Sequence, residues 1–218
     1  SFFEEVEPYF KDVVNDMTNK KLLEYPFRQI PYEESMDRYG SDKPDIRFGM
    51  ELFDLTEEFN NSGLDIFKTV NCVKAIFVPR EFSRKEIDEL TEKVKLQGAK
   101  GLAWFKYDEG KLDSSLVKFF DEKLQKAISD KVASNTPDAK NGMIFAIAGE
   151  KIHTQKQTGW LRLQMGDLLQ LRDPNLLAFC WIVNFPIYEF DDKTGKWDFG
   201  HNPFTMPQGG MDSLKNKP

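Results

Sequence analysis

A short charged turn in the first quarter of the chain carries residues that could bind an anion. The segment YGSDKPDIR, residues 39–47, contains Asp42, Lys43 and Arg47. Pro44 has no N–H and disfavours the helical conformation for Lys43, so a turn is predicted here. The ammonium of Lys43 and the guanidinium of Arg47 could meet a phosphate or an acidic ligand. A charged turn that is simply solvated is the alternative, and from the residues alone it is the commoner case.

A second candidate lies near the end of the chain, where FGHNPFT covers residues 199–205. His201 stands beside Asn202 in a predicted irregular segment, a place where a rigid scaffold can expose side chains to a cleft. From the residues alone, His201 is either a ligand contact or a hydrogen-bonded structural residue, and the second is commoner. His153 is interpreted as an ordinary surface residue at the start of a helix.

The middle of the chain interleaves lysines with aromatic residues. This pattern can bind nucleic acid through phosphate contacts and stacking. It also describes a strand with one buried face, which we favour, and RNA contact stays the alternative. The residues concerned are Lys93, Lys95, Lys100, Lys106 and Lys111 around Trp104, Phe105 and Tyr107.

Composition and missing motifs exclude several classes of protein. Two histidines and two separated cysteines do not make a zinc site, and no metal site is predicted. The signatures GxGxxG, GxxxxGK[ST] and GxSxG are absent. A mean hydropathy of −0.54 and the lack of a long apolar run argue against a membrane-spanning protein. The acidic N-terminal residues argue against a secretory signal. Cys72 and Cys180 lie in apolar runs and are expected to be buried, reduced thiols, so a cytoplasmic location is expected.

The net charge of −6 is distributed unevenly along the 218 residues. Residues 1–60 carry −8, residues 61–170 carry +3 and residues 171–218 carry −1. Two changes of composition are typical of a module set between flanks of another kind. We therefore predict three parts: a first flank (1–60), a middle module (61–170) and a last flank (171–218).

Hydrophobic periodicity predicts the secondary structure of the two flanks. The first flank should hold a helix from the N-terminus to about Asn19, a short helix that ends at Gly40, and a strand over residues 48–55. Residues 176–190, apolar on both faces until Pro186, predict the central strand of a large sheet. In this chain that strand would have to pair with residues 47–55, pair with a neighbouring molecule in a crystal, or stay partly disordered. A hairpin turn is predicted at residues 191–197.

The middle module alternates predicted strands and helices. Strands are predicted over residues 72–79, 99–107 and 142–150, and helices over 83–98, 114–132 and 153–172. Ser83 and Glu86 form the pattern of a capping box, and the last helix is predicted to be broken or entered at Gly159. This order predicts an α+β domain with helices packed on one face of a small sheet.

Four segments together resemble the bacterial-type aspartyl-tRNA synthetases of class II. They occur in the family's order and spacing and cover practically the whole chain. The middle one resembles the GAD domain, an insertion found in that family and in a subunit of tRNA-dependent amidotransferases. The resemblance implies a GAD-type insertion domain flanked by partial class II catalytic-domain segments. The segments are RYGSDKPDIRFGMEL, SRKEIDELTEKVKLQGAKGLAWFKY, GWLRLQMGDLLQL with DPNLLAFCWIVNFPIYEF, and HNPFTMPQ.

For the whole enzyme, the resemblance implies aspartate–tRNA ligase activity through an aspartyl-adenylate, with ATP and magnesium as cofactors. Its partner is the aspartate tRNA, with the asparagine tRNA left open, and the family is homodimeric. The family's ATP-binding signatures and anticodon-binding barrel do not occur in these residues. The chain is therefore expected to be an inactive, monomeric fragment with no bound ATP or magnesium and no catalytic residue. The alternatives are a stand-alone module that contacts the tRNA acceptor arm and a structural insert that binds nothing.

The resemblance also bears on single residues. His201 matches the first of two consecutive histidines that precede PFT in the family, which contacts aspartate or its adenylate. Asn202 replaces the second histidine, and an amide keeps hydrogen bonding but carries no charge. The turn that contains Asp42, Lys43 and Arg47 lies near the rim of the active site by the same analogy. These three residues and Asn202 are the predicted rim residues.

Overall fold

The computed structural model describes residues 2–191, 194–200 and 210. The helices within those ranges are α1 (Phe2–Met17), α2 (Tyr32–Tyr39), α3 (Thr56–Asn60), α4 (Arg84–Leu96), α5 (Glu122–Asn135) and α6 (Lys151–Leu168). The strands are β1 (Lys21–Leu22), β2 (Arg28–Pro31), β3 (Phe53–Asp54), β4 (Cys72–Val78), β5 (Ala103–Asp108), β6 (Lys111–Asp113), β7 (Asn141–Gly149), β8 (Leu176–Leu177), β9 (Cys180–Val183), β10 (Tyr188–Asp191) and β11 (Lys196–Phe199).

Parallel strand pairs join the first flank to the last flank. β1 pairs with β8, and β2 pairs with β9 in a register that sets Ile30 opposite Ile182. Ile30, Tyr39 and Ile46 form a small core against this pair. Glu7 of α1 is buried beside it, where its carboxylate accepts hydrogen bonds from the Phe27 N–H at 3.1 Å and from Trp181 Nε1 at 2.8 Å. The two flanks therefore form one packed unit.

The prediction for residues 176–190 is wrong in two respects. The segment forms short strands rather than one long strand, and in the described part of the chain β8 and β9 each have a single neighbour. Their partners lie at residues 21–31 instead of 47–55. The left-handed conformation of Asn184, with φ of 58°, follows directly after β9 and ends it. The predicted hairpin is confirmed, with β10 antiparallel to β11.

A five-stranded antiparallel sheet forms the middle of the fold, in the order β3-β4-β7-β5-β6. β7 lies at its centre and pairs with β4 from Cys72↔Gly149 to Val78↔Met143. β3 and α3 belong to this sheet and its core although they precede residue 61. The predicted boundaries at residues 61 and 170 stay predictions.

Helices cover both faces of this sheet, so the prediction of helices on one face is wrong. α3 and α5 pack on one face, in a core that includes Phe59, Phe105 and Ile128. α4 and α6 pack on the other face, around Phe145 and Leu161. Successive side chains of a strand point to opposite faces of the sheet. Since β4 is buried at each of its residues and β7 over most of its length, both faces of the sheet have to be covered.

The remaining predicted elements are confirmed with shifted boundaries. α4 begins at the predicted capping box, where Ser83 Oγ accepts from the Glu86 N–H. The helix predicted over residues 114–132 begins late, because the Asp121 carboxylate accepts from the Leu124 N–H at 2.8 Å and caps α5 there. Only Phe53 and Asp54 of the strand predicted over residues 48–55 are extended in the sheet, and Met50 has a φ of 57°.

Both cysteines are free thiols, as expected. Cys72 is buried and Cys180 is half-buried. Burial raises the pKa of the Cys72 thiol to about 11, so it stays protonated at neutral pH.

α6 runs without a break through Gly159, contrary to the prediction. Gly159 instead allows the backbone of α6 to approach the backbone at the end of α2 closely. A Cβ on Gly159 would lie 2.6 Å from the Tyr39 carbonyl oxygen, and a Cβ on Gly40 would lie 2.1 Å from the Gln155 carbonyl oxygen. Gly40 also has a φ of 65° and ends α2. The backbone of the middle module therefore touches the backbone at the start of the YGSD turn.

We expect Gly159→Ala to lower the free energy of unfolding by about 1–3 kcal/mol, because the new methyl group overlaps backbone atoms that cannot rotate away. Urea unfolding of the chain measures this. Gly101→Ala is the matched control, since a Cβ there has no atom within 4 Å, and it should change stability by less than about 1 kcal/mol. Equal effects of the two substitutions would contradict the close crossing.

Candidate functional site

Three distant parts of the sequence line one cavity of about 280 Å³. Tyr32 of α2 and Asp42 of the following turn come from the first flank, and Lys156 of α6 comes from the middle module. Glu189 of β10 and Gly200 come from the last flank. The parallel pairing of β2 with β9 and the crossing of α6 over Gly40 bring these parts together.

The wall of the cavity contains a hydrogen-bonded pair. Tyr32 Oη donates to Glu189 Oε1 at 3.3 Å, and the Tyr32 ring packs on Phe185 with 5.1 Å between centroids. Burial, with the Glu189 carboxylate beside it, raises the pKa of Tyr32 to about 12. The phenol therefore stays protonated and remains a donor at neutral pH.

Local hydrogen bonds fix the shape of the YGSD turn. Ser35 Oγ of α2 donates to the Ser41 carbonyl at 2.6 Å, and Ser41 Oγ accepts from the Lys43 N–H at 3.0 Å. The Lys43 ammonium lies 2.9 Å from the Asp42 carboxylate. The Lys43 side chain is 86% exposed and points out of the cavity that Asp42 lines.

Arg47 does not line this cavity, because Asp45 binds its guanidinium. The pair is bidentate, with Nε and one terminal nitrogen 2.9 and 2.7 Å from the two carboxylate oxygens. Arg172 approaches the same carboxylate at 3.3 Å. Burial raises the pKa of Asp45, but the hydrogen bonds and charge of Arg47 outweigh it and hold that pKa below its ordinary value.

His201 and Asn202 lie outside the described residues. Gly200, the neighbour of His201 in the chain, lines the cavity together with Asp42. Of the predicted residues, the structure therefore places Asp42 at the cavity, with Lys43 and Arg47 on the same turn but directed elsewhere.

Arg162 is a buried residue beside this turn that the sequence did not single out. It belongs to α6, is 1% exposed, and donates to four backbone carbonyls between 2.7 and 3.2 Å. Its guanidinium also lies 4.0 Å from the centroid of the Phe48 ring. Burial lowers the pKa of Arg162 to about 10, which leaves it charged at neutral pH. The carbonyls belong to Asp45, Phe48, Gly49 and Met50.

Lys74 is a second missed residue, and it links the sheet to α2. Its ammonium, 2% exposed, lies 2.5 Å from Asp37 and 3.3 Å from Asp54. Burial lowers the pKa of Lys74, but the two carboxylates outweigh it and the pKa is raised overall. The sequence contained a signal for both residues, namely a charged side chain within an apolar run. Lys74 lies in VNCVKAIFV and Arg162 lies in GWLRLQM.

Of the interleaved residues, the three aromatics and Lys106 lie on β5, whereas the other lysines lie on α4, on β6 and in the loop before β5. Phe105 and Tyr107 are 0% and 4% exposed, so these two rings are not available for stacking on bases. Lys106 pairs with Glu81 at 2.8 Å, and Lys95 pairs with Glu92 at 2.8 Å. The structural interpretation of this segment is confirmed.

Residues 2–191, 194–200 and 210 contain no group of three or more His, Cys, Asp or Glu residues that could hold a metal ion. They also contain no helix that is long and apolar enough to cross a membrane.

Both the middle module and its flanks are similar to known proteins. The family model described as "GAD domain" matches residues 66–157. An aspartate–tRNA(Asp/Asn) ligase from Hydrogenobaculum sp. (strain Y04AAS1) is 44% identical over 85% of this chain and 31% of its own length. The ligase of that name from Chlorobium phaeobacteroides (strain BS1) is 39% identical over 98% of this chain and 35% of its own. The ligase of that name from Rickettsia akari (strain Hartford) is 35% identical over 98% of this chain and 36% of its own length. The chain thus spans about a third of the length of these curated relatives.

We expect Arg162→Met to lower the free energy of unfolding by at least about 3 kcal/mol, because it removes a buried charge that satisfies several buried carbonyls. Hydrogen exchange should also rise selectively in residues 45–52. Urea unfolding and peptide-resolved exchange measure the two effects.

The control is Arg84→Met, since the Arg84 side chain is 72% exposed and pairs with Asp88 at 3.1 Å. It should change stability by less than about 0.5 kcal/mol. If Arg162→Met left the exchange of residues 45–52 unchanged, the turn would be held by other contacts.

Proposed function

We propose that this chain, which along nearly its whole length is homologous to aspartate–tRNA(Asp/Asn) ligases and carries a GAD domain, supplies part of the substrate site of such a ligase. The intact enzyme would activate aspartate with ATP and transfer it to tRNA. In this proposal the flanks contribute site residues and the middle module holds one of them in place.

The shared cavity is the observation that supports this most strongly. Asp42 lies on the turn predicted at the rim of the active site, and Gly200 directly precedes His201. Residues 42 and 200 are brought together only because the flanks pair as parallel strands. We therefore propose that His201 contacts aspartate or its adenylate, with Asp42 at the rim of the same site.

The charged residues that line this cavity do not fit ATP with magnesium. The charged side chains that line the cavity are the two carboxylates of Asp42 and Glu189 and the ammonium of Lys156. A triphosphate needs several cationic donors, and Arg47 is engaged by Asp45. We propose that other parts of the intact ligase bind ATP and magnesium and that this chain alone is inactive.

In this proposal the middle module positions the turn that carries Asp42. Arg162 fixes residues 45–50, and Gly159 touches the backbone at Tyr39 and Gly40. Removing the module would therefore disturb the turn that carries Asp42. This favours the ligase proposal over an insert that binds nothing and has no influence on the site.

The remaining parts of the proposal follow the family. The partner of the intact enzyme is the aspartate tRNA, with the asparagine tRNA left open, and the enzyme is a cytoplasmic homodimer. The isolated chain is proposed to be a monomer.

We expect the isolated chain to show no ATP-dependent aspartylation of tRNA, because the cavity offers a triphosphate two carboxylates and a single ammonium. Filter assay of labelled aspartate on tRNA measures this, with the intact ligase as the positive control. Turnover by the 218 residues alone would contradict the proposed division of labour.

In the intact ligase, His201→Ala should raise the KM for aspartate about tenfold or more and leave the KM for ATP nearly unchanged. The reason is the loss of a hydrogen bond to a charged substrate group. Aspartate-dependent pyrophosphate exchange measures both constants.

His153→Ala is the matched control, because it removes the other histidine of the chain from an exposed position on α6. It should leave both constants unchanged. An equal rise of the two KM values in His201→Ala would reject the assignment of His201 to aspartate.

A further inference from the structure

We propose that Lys156, a residue of the middle module, contacts a phosphodiester of the tRNA acceptor end as that end enters the cavity. This inference rests on the proposed function, because tRNA is a partner only there. It assigns to the middle module a direct contact with substrate in addition to positioning the turn that carries Asp42.

Within the part of the chain that the structure describes, no carboxylate pairs with the Lys156 ammonium. Lys156 lines the cavity with its side chain exposed. The two carboxylates of the cavity have partners of their own, since Asp42 pairs with Lys43 and Glu189 accepts from Tyr32. An ammonium that lines a cavity without a carboxylate partner remains available to an anionic ligand.

The position of Lys156 is fixed although its side chain is mobile in principle. It lies one turn before Gly159, whose backbone contacts Tyr39 and Gly40. Arg162, two turns after Lys156 on α6, binds four carbonyls of residues 45–50. The base of the side chain is therefore held at the cavity by contacts on the same helix.

The distribution of charge favours RNA phosphate over a small anion as the ligand. A small anion without an ammonium of its own, such as inorganic phosphate, would lie beside Asp42 and Glu189 inside the cavity and be repelled by both. A polynucleotide that crosses the exposed rim meets Lys156 first. Lys156 is the cationic side chain among the described residues that line the cavity, so attraction of a phosphodiester at this rim depends on it.

Binding of a labelled minihelix with the acceptor stem and single-stranded 3′ end of the aspartate tRNA tests this, by fluorescence anisotropy over a range of salt. We expect Lys156→Ala to weaken binding to the 218-residue chain about threefold at low salt, as for the loss of one exposed ionic contact. The slope of log K against log salt should fall by roughly 0.7, the value for one contact to a single strand. Lys156→Arg should retain wild-type binding.

Lys151→Ala is the matched control, because Lys151 is an exposed lysine on the same helix that does not line the cavity. It removes the same charge and should leave the slope unchanged. An equal loss of affinity in both variants would show that the net charge of the helix attracts the RNA, and it would reject a specific contact. Unchanged affinity of Lys156→Ala would reject the contact as well.

A second measurement separates this inference from the proposed function. In the intact ligase, Lys156→Ala should raise the KM for tRNA about threefold, a larger change than in the KM for aspartate measured by pyrophosphate exchange. A larger rise in the KM for aspartate than in the KM for tRNA would overturn the assignment to RNA. Failure of the wild-type ligase to charge tRNA with aspartate would contradict the proposed function. The minihelix binding measurement would still test the contact of Lys156 with RNA.

Discussion

The guanidinium of Arg162 holds residues 45–50 in a conformation that no regular element would give them. They belong to the segment that connects the end of α2 to β3 and turns at Pro44. This segment forms no regular strand or helix, so its carbonyls need hydrogen-bond donors from elsewhere. A planar group with five N–H donors can serve several carbonyls at once. Since Arg162 lies 1% exposed on α6, the turn that carries Asp42 takes its shape from a helix more than 100 residues away in sequence.

Two further contacts make the same connection by different means. Gly159 and Gly40 allow backbone to touch backbone, which leaves no space for adjustment. Lys74 joins the sheet to α2 through Asp37 and to β3 through Asp54. Steric contact, a buried ion pair and a set of charged hydrogen bonds thus all fix the middle module against the first flank. A module attached in this way is part of the scaffold of the cavity that Asp42 lines.

Local signals in the sequence predicted the elements but not the contacts between them. The capping box at Ser83, the stop at Gly40 and the buried strand of residues 72–79 depend on neighbours in sequence, and all three were predicted. The long strand over residues 176–190 and the break at Gly159 were wrong because each depends on a distant partner. An apolar run shows that a segment is buried but not which segment covers it. Asp42 was found as a turn residue, whereas Arg162 and Lys74 required the fold.

The parallel pairing of β2 with β9 has a consequence for how the chain folds. Parallel neighbours need a crossover of about a dozen residues, and here the crossover runs from residue 32 to residue 179. For a flexible chain the entropy lost on closing such a loop grows with its length, by about 0.6 kcal/mol for each doubling. A connection that has already folded into a sheet covered on both faces behaves as a much shorter loop. The middle module is then the element whose folding brings the two flanks close enough to pair.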